Sequence, residues 1–173
     1  LDAFKNEFNV YVKWRQDLNP KWSVFADMQY RHVDYTINGF RNNPSLRIDN
    51  QWNFLNPKLG LSYKLNNGQA YLSWAVANKE PNRDDFEAGA EQQPKPENLN
   101  NIELGIEKNK PGFGWGITAF YMRYRDQLVL TGRVNDVGAY ARTNIPESHR
   151  LGIEIQGRWK PLNWLTAQGN LTI

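Results

Sequence analysis

Two glutamates, Glu103 and Glu107, are the residues whose type and spacing first suggest acid–base chemistry. They fall on one face of a segment in which apolar and polar residues alternate, as they do in a β-strand. Because a strand rises ~3.3 Å per residue, the two carboxyl groups are expected to lie about 13 Å apart. They are then too far apart to act together on one bond. We interpret them as hydrogen-bonding groups of a polar surface.

The histidines do not form a catalytic site either. His32 and His149 belong to different predicted hairpins, and no serine or aspartate stands at a spacing that would make either a convincing triad member. Cysteine is absent, so the chain has no disulfide and no thiolate metal ligand. The sequence also contains no metal-ligand cluster and no phosphate-binding loop. It therefore predicts no catalytic residues, no metal and no cofactor, and a protein that is not an enzyme.

The composition favours a surface that meets a membrane interface. The 173 residues are 40% hydrophobic with a mean hydropathy of −0.73, yet they include 7 Trp, 8 Tyr and 8 Phe. No apolar run approaches the roughly 18 residues that a membrane helix needs. The net charge of +3 gives no reason to expect a nucleic-acid partner. The chain starts and ends within strand patterns and has no signal peptide, so we expect it to be part of a larger domain.

Alternation with a period of two is the main structural signal, and it predicts about eight strands of an all-β, antiparallel fold. In one of the clearest runs, Leu151, Ile153 and Ile155 alternate with Arg150, Glu154 and Gln156. Short turns rich in Asn, Gly and Pro are predicted at 19–21, 66–68, 110–112 and 161–163, and long loops at about 38–51, 80–98 and 131–147. This regular exchange of short and long connections is typical of a transmembrane β-barrel.

Aromatic residues flank every short turn and are expected to form a girdle at one membrane interface. The predicted girdle consists of Trp14, Trp22, Tyr63, Tyr71, Trp115, Trp159 and Trp164. The opposite, inward face is expected to be polar, with Glu7, Lys13, Arg15, Asp27, Arg31, Lys58, Glu103, Glu107, Arg123, Glu154 and Arg158. The segment 115–128 is ambiguous, because both of its faces carry aromatic residues. An arginine that faces lipid at the midplane costs about 2–4 kcal/mol. We therefore point Arg123 and Arg125 inward, and Phe120, Met122 and Tyr124 outward.

Four ordered motifs make the sequence resemble the barrel of TonB-dependent outer-membrane receptors. They are Asn56-Pro57-Lys58-Leu59-Gly60-Leu61-Ser62-Tyr63, Ala70-Tyr71-Leu72-Ser73-Trp74-Ala75, the segment from Lys95-Pro96-Glu97 to Glu103-Leu104-Gly105, and Arg150-Leu151-Gly152-Ile153-Glu154-Ile155 before Pro161. A Pro-containing loop, Glu80-Pro81-Asn82-Arg83-Asp84-Asp85-Phe86, stands between the second and third. No single motif is specific, but four in this order are.

The resemblance implies that residues 1–173 are a partial barrel domain, about eight strands of a ring of about 22 in the bacterial outer membrane. The receptor's own plug domain, its signal peptide and the TonB box would then lie outside this chain. The implied partners are outer-membrane lipid and lipopolysaccharide, the plug, the periplasmic energy-coupling protein TonB, and a ligand such as a ferric siderophore. No nucleic acid is expected.

Ligand contacts in this arc are expected from the long loops and the upper inner wall. The candidates are Arg41, Arg47, Trp52, Arg83, Phe86, Arg133, Tyr140 and Arg142. Arginine and aromatic side chains suit an anionic iron chelate through charge and stacking. A haem ligand is disfavoured, because the predicted loop 80–98 has no histidine and keeps only the proline of the haem receptors' box, in Asn78-Lys79-Glu80-Pro81.

Alternation alone is also compatible with other proteins. A soluble all-β domain, such as a sandwich or a propeller fragment, would bury its apolar face as a core. A passive porin and an outer-membrane barrel enzyme would share the membrane architecture. The loop asymmetry and the aromatic residues beside the turns favour the membrane barrel, and the ordered motifs favour the receptor.

Overall fold

The chain forms one antiparallel sheet of eight strands, in sequence order from β1 to β8. The computed structural model describes residues 2–40, 44–88, 93–134 and 140–173. Its elements are β1 (Asp2–Asp17), β2 (Trp22–Asn38), β3 (Arg47–Leu65), β4 (Gly68–Lys79), α1 (Arg83–Ala88), β5 (Glu97–Lys110), β6 (Phe113–Val134), β7 (Tyr140–Leu162) and β8 (Leu165–Thr172). The predicted all-β fold with about eight antiparallel strands is confirmed, and β1 and β8 are its edges.

The register gives the sheet one polar and one apolar face, because side chains alternate along each strand. Asp27 lies beside Lys58 on the polar face, and the pair of Glu154 and Thr118 shares that face. Leu104 lies between Leu72 and Ala119 on the apolar face, and it is 61% exposed. A monomeric soluble domain would bury so extensive an apolar surface.

The short turns follow local chemistry. The side chain of Asn19 accepts hydrogen bonds from the backbone N–H groups of Lys21 and Trp22, at 2.9 and 3.0 Å. At the β5–β6 turn Pro111 precedes Gly112, whose φ of 79° is the left-handed conformation that a type II turn requires at this position. These turns all lie at the same end of the strands, which we call the short-turn end. The longer connections lie at the opposite end of the strands, which we call the long-loop end.

Aromatic rings cover glycines of the neighbouring strand on the polar face. Phe25 lies over Gly60, and Tyr71 over Gly105, so closely that an added Cβ would come within 2.1 and 2.3 Å of the rings. The ring therefore takes the place of a side chain on the neighbouring strand, which packs the wall while keeping its backbone in register.

Strand β6 corrects the predicted orientation of segment 115–128. Phe120 lies opposite Glu103, so Phe120, Met122 and Tyr124 are on the polar face, while Arg123 and Arg125 are on the apolar face. The prediction assumed that both arginines lie at the membrane midplane. They lie far up a strand of 22 residues, about 26 Å or more from Trp115 at ~3.3 Å per residue, where an outward arginine costs little.

The connections at the long-loop end also differ from the prediction. The segment 131–147 was expected to be a loop, but β6 and β7 are 22 and 23 residues long, and residues 131–134 and 140–147 lie within these strands. Val129 lies opposite Thr143 there, and such β-branched residues favour a strand. A strand needs only about 9–11 residues to cross a membrane. Because β6 and β7 are about twice that length, their hairpin extends well beyond the membrane at the long-loop end.

Candidate functional site at the long-loop end

Apolar side chains gather on the polar face near the long-loop end. Tyr35, Ile37, Phe40, Ile48 and Phe86 are buried and in contact, and we call this group the loop-end cluster. Leu46 and Trp52 pack against it. The β2–β3 connection and α1 both contribute, since the ring of Phe86 lies 5.9 Å from Tyr35 and 6.4 Å from Trp52, measured between centroids. The cluster therefore docks the β4–β5 connection on the β2–β3 hairpin.

Helix α1 begins with a reciprocal cap. The N–H of Asp85 donates to Asn82 Oδ1 at 3.0 Å, and the N–H of Asn82 donates to Asp85 Oδ2 at 2.7 Å. This is the arrangement of a capping box, with Asp85 in the place of the usual glutamate. A helix of 6 residues is too short to be stable alone. Its folding therefore depends on what its side chains dock against.

Glu80 ties the start of the same connection to β1 and β2. Its carboxylate accepts hydrogen bonds from both terminal nitrogens of Arg31, at 2.8 and 2.7 Å, and from Lys5 Nζ at 2.8 Å. Arg31 also donates two hydrogen bonds to Glu7, at 2.7 and 3.1 Å. Glu80 is only 7% exposed, so this charge is held away from water by its partners. We call the contact between Glu80, Arg31 and Lys5 the Glu80 tether.

The pKa of Glu80 reflects two opposing influences. Burial raises it, but the hydrogen bonds from Arg31 and Lys5 outweigh burial and leave the pKa below its usual value. Glu80 is therefore ionised in the folded protein at neutral pH, and its charge is part of what holds the connection in place.

The far side of α1 reaches β7. Arg142 Nη1 lies 3.0 Å from Asp85 Oδ1, and Asp85 is 2% exposed. Arg142 lies opposite Leu130 in the extended β6–β7 hairpin. Taken with the Glu80 tether and the loop-end cluster, this ion pair makes α1 a bridge across the polar face, from β1–β3 on one side to β7 on the other.

Strands β3 and β4 separate before the long-loop end, and this lets the chain turn towards the bridge. Their pairing ends at Lys58 and Ala75, next to Pro57, which has no N–H to donate to a ladder. Towards the long-loop end, hydrogen bonds of Asn78 replace the ladder. Its backbone N–H and its side-chain amide donate to Asn56 Oδ1 at 3.0 and 2.9 Å, and the side-chain amide also donates to the Leu55 carbonyl. These bonds satisfy the Asn78 N–H and the Leu55 carbonyl where the two strands separate.

The structure brings some of the predicted ligand residues together and separates others. Trp52 and Phe86 stack, the Arg83 guanidinium lies 5.4 Å from the centre of the Phe40 ring, and Arg142 pairs with α1. Arg47 is separate, because it lies on the apolar face and donates to the Pro44 carbonyl at 2.7 Å. Arg41 and the side chains of Arg133 and Tyr140 lie outside the described residues.

The histidines lie away from this bridge. His32 is on the apolar face, where it contacts Asn53 at 2.8 Å and Asp34 at 3.2 Å. His149 is also on the apolar face, with its ring 6.3 Å from that of Tyr121. In the part of the chain that is described, no three His, Cys, Asp or Glu side chains converge as metal ligands.

Sequence reasoning missed Glu80 and Asp85, which make the two charged contacts of the bridge. The pattern Asn82-x-x-Asp85 after Pro81 was a detectable signal, because it is typical of a helix start. Glu80 gave no such signal. Its partners Lys5 and Arg31 are 75 and 49 residues away in the sequence, and only the fold brings them together.

Aromatic residues near the short-turn end lie mainly on the apolar face. Trp22 and Tyr63 are in ring contact there, with centroids 4.7 Å apart, and Trp14, Trp115 and Trp159 share that face. Tyr71 is the exception to the predicted girdle. It lies on the polar face, opposite Ser62, and its hydroxyl is 3.0 Å from that of Thr118. Trp164 lies in the β7–β8 turn and is 79% exposed.

The family model described as "TonB dependent receptor-like, beta-barrel" matches residues 2–173. The chain belongs to this family. Its sheet is therefore an arc of an outer-membrane β-barrel, whose apolar face meets lipid and whose polar face lines the interior. The family comprises receptors and not enzymes. A comparison with curated protein sequences gave no match.

Solved structures share the fold at low sequence identity. The copper transporter OprC superposes with a TM-score of 0.80 at 11% identity, over 98% of this chain and 28% of OprC. The FrpB iron transporter from Neisseria meningitidis (F3-3 variant) gives 0.69 at 17% identity, over 98% and 25%. The alcaligin outer-membrane receptor FauA from Bordetella pertussis gives 0.68 at 15% identity, over 99% and 31%. The chain thus spans about a quarter to a third of each of these proteins.

The described residues contain no helix that is long and apolar enough to cross a membrane.

Membrane burial of the apolar face can be tested at Leu104. An arginine there would face lipid near the midplane, so Leu104→Arg should destabilise the full receptor by about 2–4 kcal/mol. Thr118→Arg is the matched control, because it places the same charge on the polar face, opposite Glu154. Denaturant unfolding in lipid vesicles measures both variants. Equal stability losses would contradict the assignment of the faces.

Proposed function

We propose that this chain is part of the wall and mouth of a receptor that imports a scarce nutrient across the outer membrane, and that the nutrient is a ferric siderophore. Energy would come from TonB, and a plug domain would fill the interior. The observation that carries the proposal is the bridge of α1 across the polar face, in a chain of the receptor family. A connection folded over the inner wall is suited to contact a ligand that enters from outside.

The side chains at the mouth fit an anionic chelate. Arg83 is exposed in α1, and its guanidinium lies over the buried ring of Phe40, a cation–π contact that holds the charge at the surface. Arg142 is half-buried, and its charge is already shared with Asp85. Arg83 is therefore the described candidate whose charge is most available to a ligand.

The structural neighbours bear on the choice of cargo only through the substrates that their names give. FauA is a receptor for alcaligin, FrpB an iron transporter and OprC a copper transporter. FrpB is named for iron, which supports an iron chelate as the first ligand to test.

Transport in a receptor-deletion strain tests this function. The strain carrying the full-length gene should grow on at least one ferric siderophore as its iron source, with haem, cobalamin and copper supplied in parallel. Uptake of that radiolabelled chelate should stop when a protonophore removes the proton gradient, while surface binding persists. Uptake that continues without the gradient would indicate a passive porin. No growth on any iron chelate would overturn the siderophore proposal.

Arg83→Gln tests the proposed contact. It should weaken binding of the identified chelate about five- to tenfold, the loss expected for one charged contact near a surface. Arg47→Gln is the control, because Arg47 was predicted from the same pattern but lies on the apolar face. Equilibrium binding to intact cells measures both. Equal effects of the two substitutions would show that Arg83 makes no specific contact.

A further inference from the structure

One contact recurs on the polar face of three strand pairs, where an aromatic ring lies over the glycine directly opposite it. A Cβ added to the three glycines would come within 2.1, 2.3 and 2.6 Å of the rings. In each case the earlier strand (β2, β4 or β6) provides the ring, and the strand that follows provides the glycine. We call these contacts the aromatic–glycine pairs. They are Phe25 over Gly60, Tyr71 over Gly105 and Phe120 over Gly152.

The aromatic–glycine pairs lie in strand pairs that are joined at the long-loop end. The two members of each pair are 32 to 35 residues apart in the sequence. A short turn aligns the two strands that it joins, as the hydrogen bonds of Asn19 do for β1 and β2, but a long connection leaves the register to the strands themselves. In β7–β8, which a short turn joins, Gly157 faces Gly169, and nothing lies within 4 Å of a Cβ added to either.

Alternation of apolar and polar residues does not define the register completely. It opposes a slip by one residue, because that slip moves every side chain of a strand to the other face. A slip by two residues keeps all the faces, so some other feature has to oppose it. Such a slip would set each ring against a residue that has a side chain instead of against bare backbone. Phe25 would face Lys58 or Ser62, Tyr71 would face Glu103 or Glu107, and Phe120 would face Arg150 or Glu154.

Tyr71 also connects its strand pair to a strand that a short turn aligns. Its ring crosses the buried Gly105, and its hydroxyl lies 3.0 Å from that of Thr118 in β6. Thr118 faces Gly105 from the other side, and the turn at Gly112 joins β5 to β6. The ring therefore spans three strands, and it ties the register of β4–β5 to that of β5–β6.

We propose that the aromatic–glycine pairs select the register of the three strand pairs that no short turn aligns. The stagger between neighbouring strands, added up around a barrel, determines the strand tilt and the barrel diameter. A slip by two residues at one pair changes that stagger. The three pairs thereby help to set the bore of the receptor. This inference concerns the wall alone and does not depend on the cargo or on the energy source.

Cross-strand disulfides in the full receptor, assembled in the outer membrane, test the proposal at β4–β5. Leu72→Cys with Leu104→Cys reports the native register, because the two residues face each other on the apolar face. Leu72→Cys with Ile102→Cys reports a slip by two, because these positions are diagonal neighbours in the native register and bridge poorly. Tyr71→Ala should raise the slipped yield relative to the native yield about three- to tenfold, the range expected for loss of one aromatic contact.

Two further substitutions separate the role of the ring from general packing. Tyr71→Phe keeps the ring and should give the same yields as the wild type. Tyr11→Ala is the matched control, because Tyr11 lies on the same face but in β1–β2, where a short turn fixes the register. Val12→Cys with Met28→Cys reports the native register of that pair, and Val12→Cys with Ala26→Cys reports the slip. The ratio of these two yields should not change in Tyr11→Ala.

Yields are measured on the assembled receptor only, so that poor assembly is not mistaken for a slip. A wild-type ratio of yields in Tyr71→Ala would overturn the proposal, and so would an equal change in Tyr11→Ala. Reduced assembly of Tyr71→Ala without a slip would also overturn it, because the ring would then only pack the wall. Phe25→Ala gives the same reading at β2–β3 if Tyr71→Ala does not assemble, with Val24→Cys paired with Leu61→Cys for the native register and with Leu59→Cys for the slip.

Discussion

Glu80→Gln is expected to release α1 from the barrel wall while the eight strands stay folded. The neutral amide cannot replace a carboxylate that accepts charged hydrogen bonds from Arg31 and Lys5. Removing one partner of a buried ion pair is costly, and we expect a loss of about 2–3 kcal/mol in docking free energy. The loss stays below the upper range because Arg31 keeps its hydrogen bonds to Glu7.

A loss of this size should raise the undocked population of residues 80–88 roughly 30- to 150-fold. Hydrogen exchange of that segment, measured by mass spectrometry in the full receptor, reports the change. Glu7→Gln is the matched control, since it removes the other carboxylate on Arg31 but leaves Glu80 in place. If Glu7→Gln accelerates exchange as much as Glu80→Gln does, the tether does not hold α1.

The pH dependence of docking gives an independent check on the tether. The pKa of Glu80 is lower in the folded protein than in an unfolded chain, so its contribution to docking is complete at neutral pH. That contribution is lost only as the pH falls through the folded-state pKa, below the usual value of about 4.3 for glutamate. Docking in the wild type should therefore persist from pH 7 to pH 5. The Glu80→Gln variant lacks this dependence.

Strand number and sheet faces could be predicted because they depend on local patterns. In β7 the alternation of Leu151, Ile153 and Ile155 with polar residues already shows which side chains share a face. Depth in the membrane is not encoded in this way. Arg123 was predicted on the wrong face because we assumed that it lies at the membrane midplane, where an arginine facing lipid is costly. The length of β6 places Arg123 near the border of the apolar band, where that cost is small.

The bridge of α1 could not be predicted because its stability comes from tertiary contacts. A helix of 6 residues has no room for a helical period, and its core residue Phe86 is buried only because β2 and β3 supply Tyr35, Ile37 and Ile48. Sequence reasoning selected Phe86 and Trp52 as ligand contacts because they are aromatic and close to loops. The structure shows what else such residues do at the mouth of a barrel, which is to hold a connection in place.

Phe86→Ala should undock α1 more completely than loss of the tether does. Phe86 is 1% exposed, and truncating a buried phenylalanine costs about 3–5 kcal/mol. A six-residue helix has little stability of its own, so this loss should leave α1 largely unfolded. Exchange protection of residues 82–88 should fall almost to that of an open chain. Phe86→Leu, which keeps most of the apolar volume, should retain most of the protection.

Combining Phe86→Ala with Glu80→Gln decides whether α1 docks as a single unit. The two side chains have different partners, since Phe86 packs on Tyr35 and Trp52 while Glu80 binds Arg31 and Lys5. If the loop-end cluster and the Glu80 tether hold residues 80–88 as one cooperative unit, Phe86→Ala alone undocks the whole segment. Adding Glu80→Gln then increases its hydrogen exchange little further. Additive effects would mean that the two contacts open independently. The distinction matters for the proposed ligand contact at Arg83. Only a cooperative unit would allow ligand binding at Arg83 to break the contacts of Glu80 and Arg142 together, because a segment that opens in separate parts would break them one at a time.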